Sequence, residues 1–65
     1  MKIKYFEDTD TLYVELSDSE VVETKELNEN IYVDIDREGL VVSFTIEHAK
    51  KTSGNLDFSY ETVAA

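Results

Sequence analysis

The sequence contains no cysteine and no proline, and it has only one histidine and two glycines. Without cysteine, disulfides, cysteine-ligated metals and thiolate catalysis are excluded, and a reducing compartment is favoured. One histidine excludes a two-histidine metal site, and two isolated glycines exclude a phosphate-binding glycine loop. No apolar run approaches the roughly 18 residues of a membrane span, and the first residues do not resemble a signal sequence. We therefore expect a cytoplasmic protein.

The 65 residues are enough for one domain, and 42% of them are hydrophobic, too many for a disordered tail of low hydrophobicity. The charge is strongly unbalanced, because 15 acidic residues against 6 basic ones give a formal net charge of −9. A field of this sign repels phosphate backbones and anionic lipids, so direct binding to nucleic acid or membranes is not expected. The acidity favours either solubility or attraction to a basic partner.

Five segments alternate polar and apolar residues with a period of two, the pattern of strands with one buried face. The predicted strands span residues 2–6, 11–16, 21–27, 31–36 and 40–46. Short polar connectors separate them at residues 7–10, 17–20, 28–30 and 37–39. Gly39 can adopt the positive φ that a tight hairpin turn requires. The pattern predicts a mostly β fold of the α+β class, a small antiparallel β-meander of about five strands.

The alternation weakens after the fifth predicted strand. Glu47–Lys51 is expected to form one or two helical turns, with lysines near the C-terminal end and Gly54 as the stop. Apolar residues then alternate again, which suits either a strand or a tail that becomes ordered on contact. We therefore predict an antiparallel β domain over residues 1–54 and a C-terminal strand or flexible tail over residues 55–65.

The predicted core is the apolar face of this sheet. It comprises Ile3, Tyr5, Leu12, Val14, Leu16, Val22, Leu27, Ile31, Val33, Ile35, Leu40, Val42, Phe44 and Ile46. One sheet must bury its apolar face against another layer, and this chain offers only a short helix and the C-terminal segment. Self-association, a partner protein or a tightly curled sheet would satisfy the requirement.

No residue pattern predicts catalysis, a cofactor or a metal. The segment from Asp34 to Gly39 resembles the start of a calcium-binding helix-loop-helix, but Thr45 stands where a glutamate ligand is needed and the flanks are strands. His48 lies next to Glu47, yet neighbouring side chains of a strand point to opposite faces, which argues against a catalytic dyad. None of the serines lies in a nucleophile elbow. We expect that the chain is not an enzyme.

Tyrosines and carboxylates on exposed strand positions form the candidate interaction surface. Tyr13 and Tyr32 are predicted to lie opposite the main apolar face, and tyrosine is enriched at protein interfaces. Stacking between the strands would equally account for both side chains. The residues of this predicted surface are Tyr13, Tyr32, Asp34, Asp36, Glu23 and Glu26.

Three short motifs resemble those of domain of unknown function family 2283, a family of short prokaryotic proteins. They are Tyr5-Phe6-x-x-x-Asp10-x-Leu12-Tyr13-Val14, Asp34-Ile35-Asp36-x-x-Gly39-x-Val41-Val42 and Ile46-Glu47, within about residues 1–50. Members typically have glycine before the Ile-Glu pair, where this chain has Phe44-Thr45. The resemblance implies a β-meander with a helical element and no established activity, and members are often suspected of lying beside small toxin-like proteins.

The leading hypothesis is a protein-binding module, such as an antitoxin-like or accessory protein, that presents an acidic surface to a small basic partner. The alternatives are an inhibitor that mimics the charge of nucleic acid, a self-assembling structural subunit that forms a homo-oligomer, and a minimal enzyme or small-ligand binder using His48.

Overall fold

The computed structural model describes residues 1–64, which form one antiparallel sheet and one short helix. The elements are β1 (Lys2–Phe6), β2 (Thr11–Glu15), β3 (Glu23–Asn28), β4 (Ile31–Ile35), β5 (Val41–Glu47) and α1 (Ala49–Ser53). The predicted five-stranded antiparallel sheet with a short C-terminal helix is confirmed. Several strand ends differ by one or two residues from the predicted ends, as is usual where strands lead into turns.

The order of the strands across the sheet is β1-β2-β5-β4-β3. The strands β3, β4 and β5 form a continuous meander, and β1 with β2 forms a hairpin that pairs against β5. The segment 16–22 therefore runs from the middle of the sheet to its far edge. β5 lies at the centre and has a neighbour on both sides, which satisfies its backbone hydrogen bonds within the sheet.

Asp36 and Gly39 shape the turn between β4 and β5. Asp36 Oδ1 accepts hydrogen bonds from the backbone N–H groups of Glu38 and Leu40, both at 2.9 Å. Gly39 has a φ of 85°, the left-handed region that its missing side chain permits. The pairing of β4 with β5 shifts by one residue between Asp34 and Ile35, so a bulge lies next to this turn.

The helix α1 is held on the sheet by Asp10, which lies in the turn between β1 and β2. The main-chain oxygen of Asp10 accepts a hydrogen bond from the Ala49 N–H at 3.0 Å. Its carboxylate accepts from the N–H groups of Lys50 at 2.8 Å and Lys51 at 3.0 Å. The hydroxyl of Tyr5 donates to the same carboxylate at 2.7 Å. Asp10 thereby satisfies helical N–H groups that have no partner within the helix.

The predicted helix over Glu47–Lys51 is displaced toward the C-terminus. β5 continues through Glu47, whose N–H donates to the carbonyl of Asn30 at 2.7 Å. His48 has a φ of 56° and turns the chain out of the strand, so α1 begins at Ala49. Gly54 ends the helix, as predicted.

Few side chains are fully buried. Leu12, Val14 and Ala49 form the centre of the core, and four half-buried residues pack against it: Tyr5, Phe44, Ile46 and Leu56. The predicted core residues Ile31, Val33 and Ile35 are half-buried, and Val42 is buried at 3% exposure. The core cluster on the apolar side of the sheet, which we call the apolar face, thus lies beneath α1 and Leu56.

The prediction was wrong for five of the core positions, whose side chains are exposed in the structure. These positions are Ile3, Leu16, Val22, Leu27 and Leu40. The reason is the size of the covering layer, because a helix of five residues is only about 7.5 Å long and cannot shield a five-stranded sheet. Alternation predicts which way a side chain points, and another element must still cover it.

Residues 55–64 contain neither a strand nor a helix. Leu56 is half-buried against the core, and the remaining side chains of this segment are exposed. The last residue of the predicted C-terminal strand or tail, Ala65, lies outside the described residues. Within residues 1–64, no helix has the length and apolar character needed to cross a membrane.

Candidate functional site

The side of the sheet opposite α1, which we call the polar face, carries a row of side chains across all five strands. Pairing places Lys4 opposite Tyr13, Tyr13 opposite Thr45, Thr45 opposite Tyr32, and Tyr32 opposite Glu26. Tyr13 and Tyr32 are therefore separated by one strand, which corresponds to roughly 10 Å. Both tyrosines are half-buried, and both lie opposite the apolar face, as predicted.

Carboxylates surround the two tyrosines on the polar face. The hydroxyl of Tyr13 donates a hydrogen bond to Glu15 at 3.3 Å. The Glu47 carboxylate next to Tyr32 raises the pKa of Tyr32, and the negative charge of Glu26 adds to the rise. The phenol of Tyr32 therefore stays protonated and neutral at pH 7, and the negative charge beside it is carried by the carboxylates.

Asp34 in β4 links β3, β4 and β5 on the polar face through two side-chain hydrogen bonds. Its Oδ2 accepts a hydrogen bond from the Ser43 hydroxyl at 2.6 Å, and its Oδ1 accepts one from the Thr24 hydroxyl at 2.7 Å. Ser43 is fully buried. Because both of its oxygens are used within the sheet, Asp34 contributes negative charge and rigidity to the face.

Four of the six residues of the predicted interaction surface lie together on the polar face: Tyr13, Tyr32, Asp34 and Glu26. The other two lie elsewhere. Glu23 is paired with Ile35, which places it on the side of the apolar face at the β3 edge. Asp36 lies beyond the end of β4, where its carboxylate holds the turn.

Glu15 and Glu47 belong to the same surface but were not among the predicted residues. Their period of two from Tyr13 and from Thr45 is a signal visible in the sequence. Glu15 is close to Tyr13 within β2, and Glu47 is close to Tyr32 through the pairing of β4 with β5. The pairing of β2 with β5 joins both pairs into one surface, and local alternation does not encode that pairing. We call the set of Tyr13, Tyr32, Glu15, Glu26, Asp34 and Glu47 the tyrosine–carboxylate patch.

One basic residue neutralises part of this patch. Lys2 Nζ lies 3.9 Å from the carboxylate of Glu15, with 61% of the Lys2 side chain exposed. An exposed pair at this distance contributes little to stability, and salt screens it readily. The patch therefore retains a net negative charge.

His48 lies away from the tyrosine–carboxylate patch. Its left-handed backbone places it at the start of α1, where it lines a shallow groove with Glu29, Asn30, Lys51 and Thr52. Within residues 1–64, no three His, Asp or Glu side chains are grouped so that they could hold a metal ion.

The family comparison covers most of the chain. Residues 2–50 match the model of a family described as "Protein of unknown function (DUF2283)". The matched segment contains all five strands and the first two residues of α1. Neither a curated protein nor a solved structure matches the chain.

Proposed function

Since the chain belongs to the family of proteins of unknown function DUF2283, whose description assigns no activity, we propose from its surface chemistry that it is a protein-binding module for a small basic protein. The observation that carries this proposal is the tyrosine–carboxylate patch, where two tyrosines and four carboxylates share one face of the sheet. On this proposal the chain acts in the cytoplasm and has no catalytic role of its own.

The chemistry of the patch suits arginine and lysine side chains. A cation is attracted to the face of a tyrosine ring, by about 0.5–1 kcal/mol at exposed sites and more where water is excluded. Arginine also forms paired hydrogen bonds with carboxylates, and the sheet holds these groups in fixed rows. The net charge of −9 would accelerate the encounter with a basic partner.

Binding of a small basic protein would also fit a more specific function, an antitoxin-like role. A basic protein that acts on nucleic acid needs its cationic surface free for phosphates. An acidic sheet face that occupies this surface would inhibit the partner by competition.

The test is recovery of the partner by a tagged copy expressed at its native level, with mass spectrometry of the co-purified proteins. We expect a stoichiometric small basic protein. The double substitution Glu15→Gln and Glu47→Gln, which keeps side-chain shape and removes two charges from the patch, should lower its recovery at least 10-fold.

The matched control is Glu20→Gln with Glu38→Gln, which removes the same charge outside the patch. Recovery should stay within twofold of the unmodified chain. Equal losses in both double variants would mean that only bulk charge matters and would refute the assignment to the patch. Recovery of the chain without any basic protein would refute the proposed function.

A further inference from the structure

An apolar groove lies on the apolar face beside α1. It runs between the β1–β2 hairpin and the segment 55–60, has a volume of about 430 Å³, and continues into a second recess toward Leu16 and Tyr60. Its outer walls are formed by exposed apolar side chains, with exposures from 42% to 79%. These residues, which define the apolar groove, are Met1, Ile3, Leu16, Phe58 and Tyr60.

The overall dimensions show that the chain exposes more surface than a compact monomer of its size. The chain exposes 5199 Å², whereas a folded monomer of its mass exposes about 4,200 Å². Its radius of gyration is 12.9 Å, compared with about 10.7 Å for a compact domain of this length. The excess of roughly 1,000 Å² is comparable to the roughly 800 Å² that each partner buries in a standard interface.

The distribution of charge favours a second copy of the chain, rather than a basic partner, in the groove. Asp57 is the one carboxylate residue that lines it, whereas Lys2 and Lys4 of the adjacent edge strand β1 lie on the polar face. The carboxylates of the tyrosine–carboxylate patch lie on the opposite side of the sheet. Two copies of an acidic chain can therefore meet at this groove with little repulsion, while a basic partner would find few carboxylates there.

We propose that a second copy of the chain docks in the apolar groove and forms a two-fold symmetric homodimer. A two-fold interface uses one patch on both subunits, so that patch must contain a recess and a projection that fits it. Here the recess is the apolar groove, and the projections are the exposed rings of Phe58 and Tyr60 at its rim. The dimer would leave both tyrosine–carboxylate patches facing outward, so each could bind its own partner.

The first test is sedimentation velocity of the full chain over a wide concentration range in 150 mM salt. We expect a dimer with twice the 7.5 kDa mass of the chain. Ile3→Glu and Phe58→Glu should each weaken dimerisation at least 10-fold. Phe58 lies outside the sheet, so its substitution separates loss of the interface from loss of the fold, which circular dichroism monitors.

Leu40→Glu is the matched control, because Leu40 is 61% exposed and lies at the β4–β5 turn, outside the groove. This variant should sediment like the unmodified chain. A chain that stays monomeric at every concentration would overturn the proposal, as would equal dissociation of the Leu40→Glu and Phe58→Glu variants. Neither outcome bears on binding of a basic protein by the opposite face.

The absence of native cysteine permits a second, covalent test. In a Tyr60→Cys variant, mild oxidation should link two chains within the dimer, and a Leu40→Cys variant should link at least 10-fold less at the same concentration. Equal cross-linking of the two variants would indicate random collision and contradict docking in the groove.

Discussion

Asp10 serves as the N-terminal cap of a helix that begins 39 residues after it. His48, at the position where a capping side chain is normally found, makes no side-chain cap hydrogen bond. Isolated helices shorter than about 12 residues are marginal in water, so the five residues of α1 depend on contacts with the sheet. Asp10 supplies the polar part of these contacts, and Ala49 supplies the buried apolar part.

Replacing Asp10 should therefore loosen the helix that covers part of the sheet. We expect Asp10→Ala to lower the Tm at pH 7 by roughly 4–8 °C, because a lost cap leaves helical N–H groups without an acceptor. Asp8→Ala, in the same exposed turn, is the control and should change the Tm by less than half as much. Thermal unfolding followed by circular dichroism measures both, and equal effects would show that Asp10 is not a cap.

The effect of Asp10 should also depend on pH. The hydrogen bond from the Tyr5 hydroxyl, followed by that from the Lys50 N–H, lowers the pKa of Asp10 in the folded chain. A lowered folded pKa means that the stabilisation is complete above the unfolded value of about 3.9 and is lost as the pH falls through the folded value. The Tm difference between the unmodified chain and Asp10→Ala should be constant from pH 8 to pH 6 and shrink below about pH 4.

At the scale of secondary structure elements, the hairpin β1–β2 is joined to the rest of the sheet through the pairing of β2 with β5. Leu12 and Val14 lie opposite Ile46 and Phe44 in this pairing, and Leu12 and Val14 are the most buried residues of β2. Ala49 packs against the same pair from above. The seam between β2 and β5 is therefore where the strands and the helix are packed together.

Truncating a side chain at this seam should destabilise the fold far more than truncating an exposed one. We expect Leu12→Ala to cost about 2–5 kcal/mol, the usual cost of a cavity in a core. Leu40→Ala should change stability by less than about 0.5 kcal/mol, because Leu40 already contacts water. Urea titration at a fixed protein concentration measures both, and a similar cost for the two substitutions would contradict this view of the core.

At the scale of the whole molecule, the acidity is largely uncompensated. The Lys2–Glu15 contact is the one ion pair within 4 Å among residues 1–64, and the net charge is −9. Mutual repulsion of so many carboxylates disfavours a compact chain. A domain of this size has a stability of only about 3–10 kcal/mol, so the repulsion is a substantial part of the balance.

Screening this repulsion should stabilise the fold. We expect the Tm to rise by about 4–8 °C between 20 mM and 500 mM sodium chloride, which corresponds to ~1 kcal/mol for a domain of this size. A variant with Asp18→Asn, Glu20→Gln, Glu29→Gln and Glu61→Gln changes the net charge from −9 to −5 and should respond less. A fall of the Tm with salt, or an equal rise in both chains, would refute the argument.

The sequence by itself determined the local structure of the chain. Alternation with a period of two located five strands and placed Tyr13 and Tyr32 on the side opposite the apolar residues, because successive side chains of a strand point to opposite faces. Gly39 and Gly54 marked a turn and a helix end, because both positions require a positive φ. The same local reasoning placed Asp34 on the face of Tyr32 within the fourth strand.

Only the tertiary structure decided which strands are neighbours and which side chains are covered. The pairing of β2 with β5 joins residues about 30 positions apart, and it brings Asp10 to α1 and places Glu47 on the same face as Tyr13. Burial was also decided by the tertiary structure. Ile3 and Leu40 occupy apolar positions of the alternating pattern, yet both side chains are exposed. Periodicity fixes the direction of a side chain from local backbone geometry, whereas pairing and coverage depend on contacts between distant segments.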